Sequence, residues 1–469
     1  MPLFDAHLER DDAGFYVVPP ERTGGVPVRL FLSPELLAGV DAEVGAQINN
    51  ATRFPGTVLV VITPDVHTGY GVPVGCVILT DAPSGAIAMG PVGFDIGCGI
   101  IAARSQIPAE AATPERRRAF NCAVMARVAM GAGSAGTLRP SDAEFERLIR
   151  GGAEYYAEAY GTAVARTHCE RDRLPVDDDW TVPWGGRGRP ERGRAQLGSL
   201  GGGNHYIELQ SGLHSQTLYV QIHTGSRGFG HGLATNYFGL AQAEGNGPRD
   251  LDLGYFTPAS AHYRGYQNAV SAGGNYAIVN RLVILEQVAD AFRSVFAGEL
   301  QIVYEISHNL VQREDVPPFG DVWVHRKGAT RAFPAGHPAL VGTPWEARGH
   351  PILIPGSNLD RSFILHALPR AELSAFSVNH GAGRRLSRSY AATHLDRNEI
   401  QQQYRAAGVL VNDDDQAPID ESAPCYKSAR DVVDCVVGFG LAAIDEELLP
   451  LASLKGVEEA RGRKRRRGR

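Results

Sequence analysis

Apolar runs bounded by turn-forming residues divide this chain into buried strands and helices. Val58-Leu59-Val60-Val61-Ile62 reads as a buried strand stopping just short of Pro64, and Val74 to Thr80 as a second. Thr217 to Ile222, Gln301 to Ile306 and Pro351 to Pro355 repeat the pattern, and Tyr206-Ile207-Glu208-Leu209 alternates like a half-buried strand. Helical periodicity takes over across residues 113–160, where Arg116 to Val128 and Asp142 to Tyr160 are amphipathic. It returns at Arg281 to Phe296, where Leu282, Leu285, Val288, Ala289, Phe292 and Phe296 share one apolar face. Residues 1–50 give few strong signals and read as an accessory start. From Thr167 to Ala195 the composition shifts to Arg, Asp, Pro and Gly, which predicts a long surface loop or insertion. Core-like sequence closes the chain at 423–427, 432–441 and 454–456.

Chemistry concentrates where these strands end. Thr217 to Ile222 runs into His223-Thr224-Gly225-Ser226-Arg227, and Gln301 to Ile306 into Ser307-His308-Asn309. The Gly198 to Gly203 loop leads through Asn204-His205 into the strand carrying Glu208. Gly93-Phe94-Asp95-Ile96-Gly97-Cys98-Gly99 sets a carboxylate and a thiol on one tight turn before an apolar run. Hard oxygen, soft sulfur and imidazole together suit a borderline divalent metal. Strand ends can gather side chains remote in sequence, and a metal pair needs about five or six such ligands. Spacing along the chain does not show that these residues meet.

The densest stretch is Ser377-Val378-Asn379-His380-Gly381-Ala382-Gly383-Arg384-Arg385-Leu386-Ser387-Arg388. Successive N–H groups in its Gly-Ala-Gly turn can cradle an anion, and the arginines suit bidentate phosphate contacts. A histidine held there can be a ligand, a proton donor or a nucleophile, and the residues leave all three open. With Gly-rich turns at Gly201 and Gly225, the chemistry suggested is phosphoryl or nucleotidyl transfer on a metal pair. His67, in Pro64-Asp65-Val66-His67-Thr68-Gly69-Tyr70-Gly71, is read as structural, and His168-Cys169 as incidental. The basic segment Val324 to Pro338 reads equally as the lining of a nucleic-acid channel or as a solvated loop.

Bulk properties narrow the setting. The 469 residues carry a formal net charge of −6, and removing the seven basic side chains of residues 461–469 takes it to −13. That tail is expected to be disordered, and it either holds a polyanion electrostatically or is merely solvated. Six cysteines without a CxxC pair do not form a secreted disulfide framework. The N-terminal residues lack a signal-peptide pattern and no apolar run approaches a membrane span, so the expected location is cytoplasmic.

DVHTGYGVPVG, PVGFDIGCG, GGGNHYIEL, IHTGSRGFGH, ISHNL, VHRKGATRAFPAGHP, LIPGS and NHGAGRRLSR occur in the order that the RtcB family of RNA ligases has them. From about Ala51 to Gly456 the chain resembles that family. The resemblance implies a single large mixed α+β domain of the RtcB type over 51–456, with a dinuclear metal site in a deep cleft. Residues 1–50 would be part of the same domain and 457–469 a basic tail. It also implies a GTP- and Mn²⁺-dependent ligase joining an RNA 3′-phosphate or 2′,3′-cyclic phosphate to a 5′-hydroxyl, in RNA repair or tRNA splicing. By match to the family's motifs, His380 would attack GTP to form a histidine–GMP intermediate. Cys98 would bridge two Mn²⁺ ions, with Asp95 and His205 completing one and His223 and His308 the other. Asn204, Glu208, Ser357, Ala382 and Gly383 match nucleotide-contacting positions. Tyr426 would pack on guanine, Lys455 would bind the base, and Arg227, Arg384 and Arg388 are phosphate contacts by looser analogy. Implied partners are RNA ends and an archease-type activator, with no membrane, and the expected state is a monomer.

This sequence departs from the family's pattern at Thr68, Gly97, Asn358-Leu359-Asp360 and the extension past Lys455-Gly456. None removes a ligand or the nucleophile; they bear on substrate preference, turnover and the role of the tail. Two alternatives stand beside ligation: a family member that holds RNA ends without sealing them, and one that only opens cyclic phosphates.

Overall fold

The apolar run at Val58 forms the middle of a longer strand, Thr57–His67, which continues through Pro64 with an irregular register beyond Ile62. In the computed structural model, which describes residues 8–161, 174–247, 251–413 and 418–456, this strand is central to one of two large sheets. In spatial order that sheet runs Glu9–Arg10, Tyr16–Val18, Val28–Leu30, Thr57–His67, Val74–Asp81, Gly320–Lys327 and Asn309–Val316. Residues before 50 thus supply three of its strands, Val28–Leu30 pairing parallel with Val60–Ile62.

The second sheet runs Gln301–Ser307, Gly99–Pro108, Thr217–Thr224, Tyr206–Gly212, Ala442–Lys455, Ser362–Ala367 and Pro351–Ile354, with Leu410–Val411 added beside Ala442–Lys455. Every β-pairing along the main path is antiparallel. Alternate side chains divide between two cores, as a period of two requires. Ile101, Ala103, Val220 and Ile222 face the helical layer, whereas Ile100, Ala102, Tyr219 and Ile306 pack on the other side.

The helical layer is built on Tyr263–Phe296, a helix of 34 residues. The sequence marks only its second half, because the first half carries Ala269, Ala272, Gly273, Gly274 and Ala277 in place of large apolar residues. Small side chains there let neighbours approach closely, a packing reason that hydrophobic periodicity does not register. Arg227–Ala243 packs on it, as do the two helices that the sequence marked. Pro114–Met125 starts two residues before the expected position because Thr113 caps it and Pro114 takes its first turn. Asp142–Tyr160 starts with a Ser141/Glu144 capping box. Among the described residues no helix is long and apolar enough to cross a membrane.

In the basic segment Val324 to Pro338, two of the cations are taken up by internal contacts, although Lys327 also borders a cavity. Arg326 and Lys327 are buried on the strand Gly320–Lys327. Arg326 donates to Glu314 at 2.9 Å and to Ser377 at 2.9 Å, while Lys327 donates to the carbonyls of Tyr70 and Val72 at 2.7 and 3.0 Å. Interior carbonyls and a carboxylate satisfy these cations, as burial demands. His168-Cys169, part of the predicted 167–195 loop and the basic tail lie outside the described residues.

Candidate metal centre and nucleotide cavity

The edge strands of the two sheets meet at one residue. Gln301–Ser307 belongs to the second sheet, Asn309–Val316 to the first, and His308 stands between them. Its backbone N–H donates to the Cys98 carbonyl at 2.8 Å, and its own carbonyl accepts from Gly328 at 2.9 Å. The loop before Gly99–Pro108 brings Asp95 and Cys98 to this seam, the start of Tyr206–Gly212 brings His205, and Thr217–Thr224 brings His223.

Two overlapping trios result: Asp95, Cys98 and His205, and Cys98, His223 and His308. Cys98 Sγ lies 3.6 Å from His205 Nε2 and 3.2 Å from His223 Nε2; His205 Nε2 is 3.0 Å from Asp95 Oδ2, and His223 Nε2 is 3.3 Å from His308 Nε2. The other ring nitrogens fix what these contacts mean. His205 Nδ1 donates to the Leu200 carbonyl at 3.0 Å and His223 Nδ1 to the Asn204 carbonyl at 3.1 Å. Carbonyls only accept, so each ring carries a proton on Nδ1 and turns its Nε2 toward the cluster. Burial, reinforced by neighbouring imidazoles, holds His223 and His308 well below the usual imidazole range, hence neutral. Burial and the Asp95 charge push the Cys98 thiol up, although Arg281 opposes them. Burial works against ionised Asp95, but His205 and Arg227 outweigh it and hold the carboxyl well below its usual range. Lone pairs converging from nitrogen, oxygen and sulfur repel one another unless a cation sits among them, so the residues fit a pair of borderline divalent ions with Cys98 shared.

Two consecutive residues of the long helix hold the ligand loops in place. Arg281, fully buried, pairs with Glu305 and donates to the Gly97 carbonyl at 2.7 Å, the Thr224 carbonyl at 2.9 Å and Ser307 Oγ at 2.8 Å. Each contact is next to a ligand: Cys98, His223 and His308. Asn280 accepts from the Gly198 N–H at 2.7 Å and donates to the Ser199 and Gly225 carbonyls, both at 3.2 Å. Gly97 has φ +73°, and a Cβ there would come within 2.9 Å of the Gly274 Cα, so a residue bearing a side chain would push the Asp95–Cys98 loop off the helix.

His380 faces this cluster across the seam. It follows the short strand Ser377–Asn379, and its ring meets that of His308 edge-on with centroids 4.5 Å apart. His380 Nδ1 lies 2.8 Å from Asp65 Oδ2, and Asp65 also accepts from the His380 N–H at 3.2 Å. Burial works against an ionised Asp65, yet the His380 contacts and the Thr63 hydroxyl outweigh it and keep the carboxyl below its ordinary value. An ionised carboxylate on Nδ1 orients the ring and leaves Nε2 as a nucleophilic lone pair. The Gly-Ala-Gly turn fits against the same strand: a Cβ on Gly383, at φ +80°, would lie 2.0 Å from the Asp65 carbonyl oxygen.

A cavity of about 250 Å³ opens beside His380 and collects most of the residues singled out in the sequence. Asp95, Cys98, His223 and His308 line it, with Asn204, Glu208, Ser357, Ala382, Gly383, Tyr426 and Lys455. His205 and Arg227 stand outside its lining. Strand pairing of Glu208 with Ser453 and of Tyr206 with Lys455 sets Glu208 and Lys455 side by side. Lys455 Nζ lies 5.6 Å from the centroid of the Tyr206 ring. Burial raises Glu208 to about 7, opposed by Gln210 and Lys455, and burial lowers Lys455. Arg384 and Arg388 line the cavity but already pair with the buried Glu421 at 3.2 and 2.9 Å, and the Tyr426 hydroxyl donates to the same carboxylate. The sequence motifs give Asp65, Arg281 and Glu421 no role, although Asp65 opens the DVHTGYGVPVG motif two residues before a His at the end of a buried strand.

Comparison with known proteins identifies the family. The family model described as tRNA-splicing ligase RtcB matches residues 47–456. The tRNA-splicing ligase RtcB of Pyrobaculum aerophilum is 33% identical over 92% of this chain and 95% of its own length. That of Archaeoglobus fulgidus is 34% identical over the same shares, and the RNA-splicing ligase RtcB of Mycobacterium tuberculosis is 34% identical over 87% of this chain and its entire length. The chain belongs to the RtcB family.

Proposed function

We propose that this chain is a GTP- and Mn²⁺-dependent RNA ligase that joins 3′-phosphate or 2′,3′-cyclic phosphate ends to 5′-hydroxyl ends, in RNA repair or tRNA splicing. The observation that carries the reading is a two-ion ligand set sharing Cys98, facing a histidine whose Nδ1 is tied to a buried carboxylate. Asp95, Cys98 and His205 would hold one Mn²⁺ and Cys98, His223 and His308 the other. Bound there, the ions would supply Lewis-acid stabilisation of charge on phosphate oxygens.

His380 acts as the nucleophile. Asp65 holds its Nδ1–H, so Nε2 attacks the α-phosphorus of GTP; the N–P bond forms as the P–O bond to pyrophosphate breaks. Guanylate passes from His380 to the RNA 3′-phosphate, and the 5′-hydroxyl of the second strand then displaces GMP. A cyclic phosphate is first opened by hydrolysis. Tyr426 offers an aromatic face for guanine and Lys455 and Glu208 offer polar contacts, with Asn204, Ser357, Ala382 and Gly383 around the nucleotide. The catalytic partners are RNA ends and an archease-type activator, and the working state is a monomer in the cytoplasm.

Incubating the chain with Mn²⁺ and GTP labelled at the α-phosphate tests this. The expected product is an acid-labile, alkali-stable label on wild type that is lost in His380→Ala. A folded, metal-loaded wild type that takes no label, with or without an archease partner, would overturn the ligase reading.

A further inference from the structure

The Arg- and Gly-rich stretch from Trp184 to Gln196 lies along one face of the helix Arg227–Ala243. That helix begins at the metal centre: the N–H of Ser226, just before it, donates to Asp95 at 3.0 Å. Gly188 and Gly193 bring the loop backbone against the helix, since a Cβ on either would collide with the backbone at Gly232 and at Phe229. Gln196 accepts from the Gly228 N–H at 2.8 Å, and the Trp184 ring packs near those of Phe145 and Phe229, with centroids 5.9 and 6.2 Å away. Arg192 Cβ sits over Gly228, and the Arg187 guanidinium over Gly239. At about 1.5 Å per residue these two positions are about 16 Å apart along the helix axis.

Charge is one-sided on this loop. Residues 187–194 carry Arg187, Arg189, Arg192 and Arg194 against one carboxylate, Glu191, and the helix beneath them has no Asp or Glu. Arg194 is taken by Asp142 and lies over the Trp184 ring. At the acidic start of the loop, Asp177 and Asp179 face Arg264 at 2.7 and 3.8 Å. Arg187, Arg189 and Arg192 are exposed and make no side-chain hydrogen bond or ion pair with a described residue. Arg189 stands at φ +53°, a backbone conformation that favours glycine. The whole chain carries a net charge of −6, which repels a polyanion. A fixed row of unpaired arginines starting beside the metal ligands is therefore a local exception to the charge of the body.

We propose that Arg187 and Arg189, continuing outward from Arg192, hold the phosphate backbone of a single-stranded RNA flank along the helix Arg227–Ala243, outside the catalytic cavity. The inference rests on the ligase reading above. Guanidinium groups pair with phosphate oxygens whatever the base, so this track adds affinity without sequence preference. None of these arginines lines the cavity beside His380, so the track acts on RNA capture and not on the guanylate steps.

The test uses full-length protein and compares wild type with the pairs Arg187→Gln/Arg189→Gln and Arg187→Lys/Arg189→Lys. Binding of a dye-labelled 3′-phosphate RNA and of a dye-labelled 5′-hydroxyl RNA is followed by anisotropy over a range of salt, without GTP. Guanylate labelling and sealing are assayed with Mn²⁺ and GTP. For the strand that the track holds, the Gln pair is expected to bind about tenfold more weakly at physiological salt. Its slope of log K against log salt falls in magnitude by about 1.4, at about 0.7 per lost phosphate contact. KM for that strand rises, while kcat and guanylate labelling stay at the wild-type level. The Lys pair, which keeps both charges, restores the slope. Unchanged affinity and slope for both strands in the Gln pair overturn the inference. So does a Lys pair with the slope of the Gln pair, which would make the loss one of loop structure and not of charge. An unlabelled wild type overturns the ligase reading, whereas the salt slopes, read without GTP, decide the track separately.

Discussion

At the scale of single residues, the motifs indicated which side chains gather but not how they are held. His380, Cys98, His205 and His223 stand out in sequence because each adjoins a glycine turn at a strand end, and His308 because it interrupts an apolar run. Asp65 does not, because its partner is 315 positions away and no local pattern reports such a contact. Glu208 shows a second kind of information absent from sequence: burial raises its carboxyl from the ordinary 4.5 to about 7, against the pull of Gln210 and Lys455. Between those values the folded chain keeps a proton that the unfolded chain has lost. Stability therefore falls as pH rises through this window, by up to about 3 kcal/mol, and the loss is complete above it. Glu208→Gln removes this contribution. Urea midpoints at pH 5 and pH 8 should show the variant gaining on wild type at the higher pH; an unchanged gap would mean that Glu208 is not buried in protonated form.

At the scale of elements, strands were legible wherever a period of two or an apolar run survived. The long helix was half legible, since the small residues of its first half answer to close packing and not to a hydrophobic stripe. Its most informative position, Arg281, looks in sequence like a polar residue on an otherwise apolar face. Folded, it is fully buried and ties the backbone or hydroxyl neighbours of three metal ligands to Glu305. Arg281→Met should cost about 3–5 kcal/mol, because Glu305 is then left charged and buried without its guanidinium. Pairing it with Glu305→Leu should return much of that stability and none of the Mn²⁺ affinity. Chemical denaturation and calorimetric titration of the single and double variants separate the two effects; recovery of metal affinity in the double variant would contradict the anchoring role.

At the scale of the whole molecule, the metal ligands come from the second sheet and its seam, while Asp65 comes from the first sheet and His380 from beside it. Ions bound to the shared cysteine would therefore fasten the loops of the second sheet to His308 at the seam as well as supply chemistry. Mn²⁺ at about 100 times its dissociation constant should stabilise the fold by about 2.7 kcal/mol, and a chelator should remove that gain. Cys98→Ser should abolish most of it, since Cys98 belongs to both trios; full Mn²⁺ stabilisation in that variant would argue against a shared ligand.

The strands of the two sheets interleave along the chain: residues 9–81 and 309–327 build one, and 99–307 with 351–455 the other. A single nick anywhere from 82 to 441 leaves at least one sheet divided between two pieces. A truncated gene or a cleaved product thus cannot keep a self-contained half carrying only the metal chemistry or only the nucleophile. Reconstitution from fragments would require both pieces to fold together, and loss-of-function truncations should abolish every step at once rather than separate one from another.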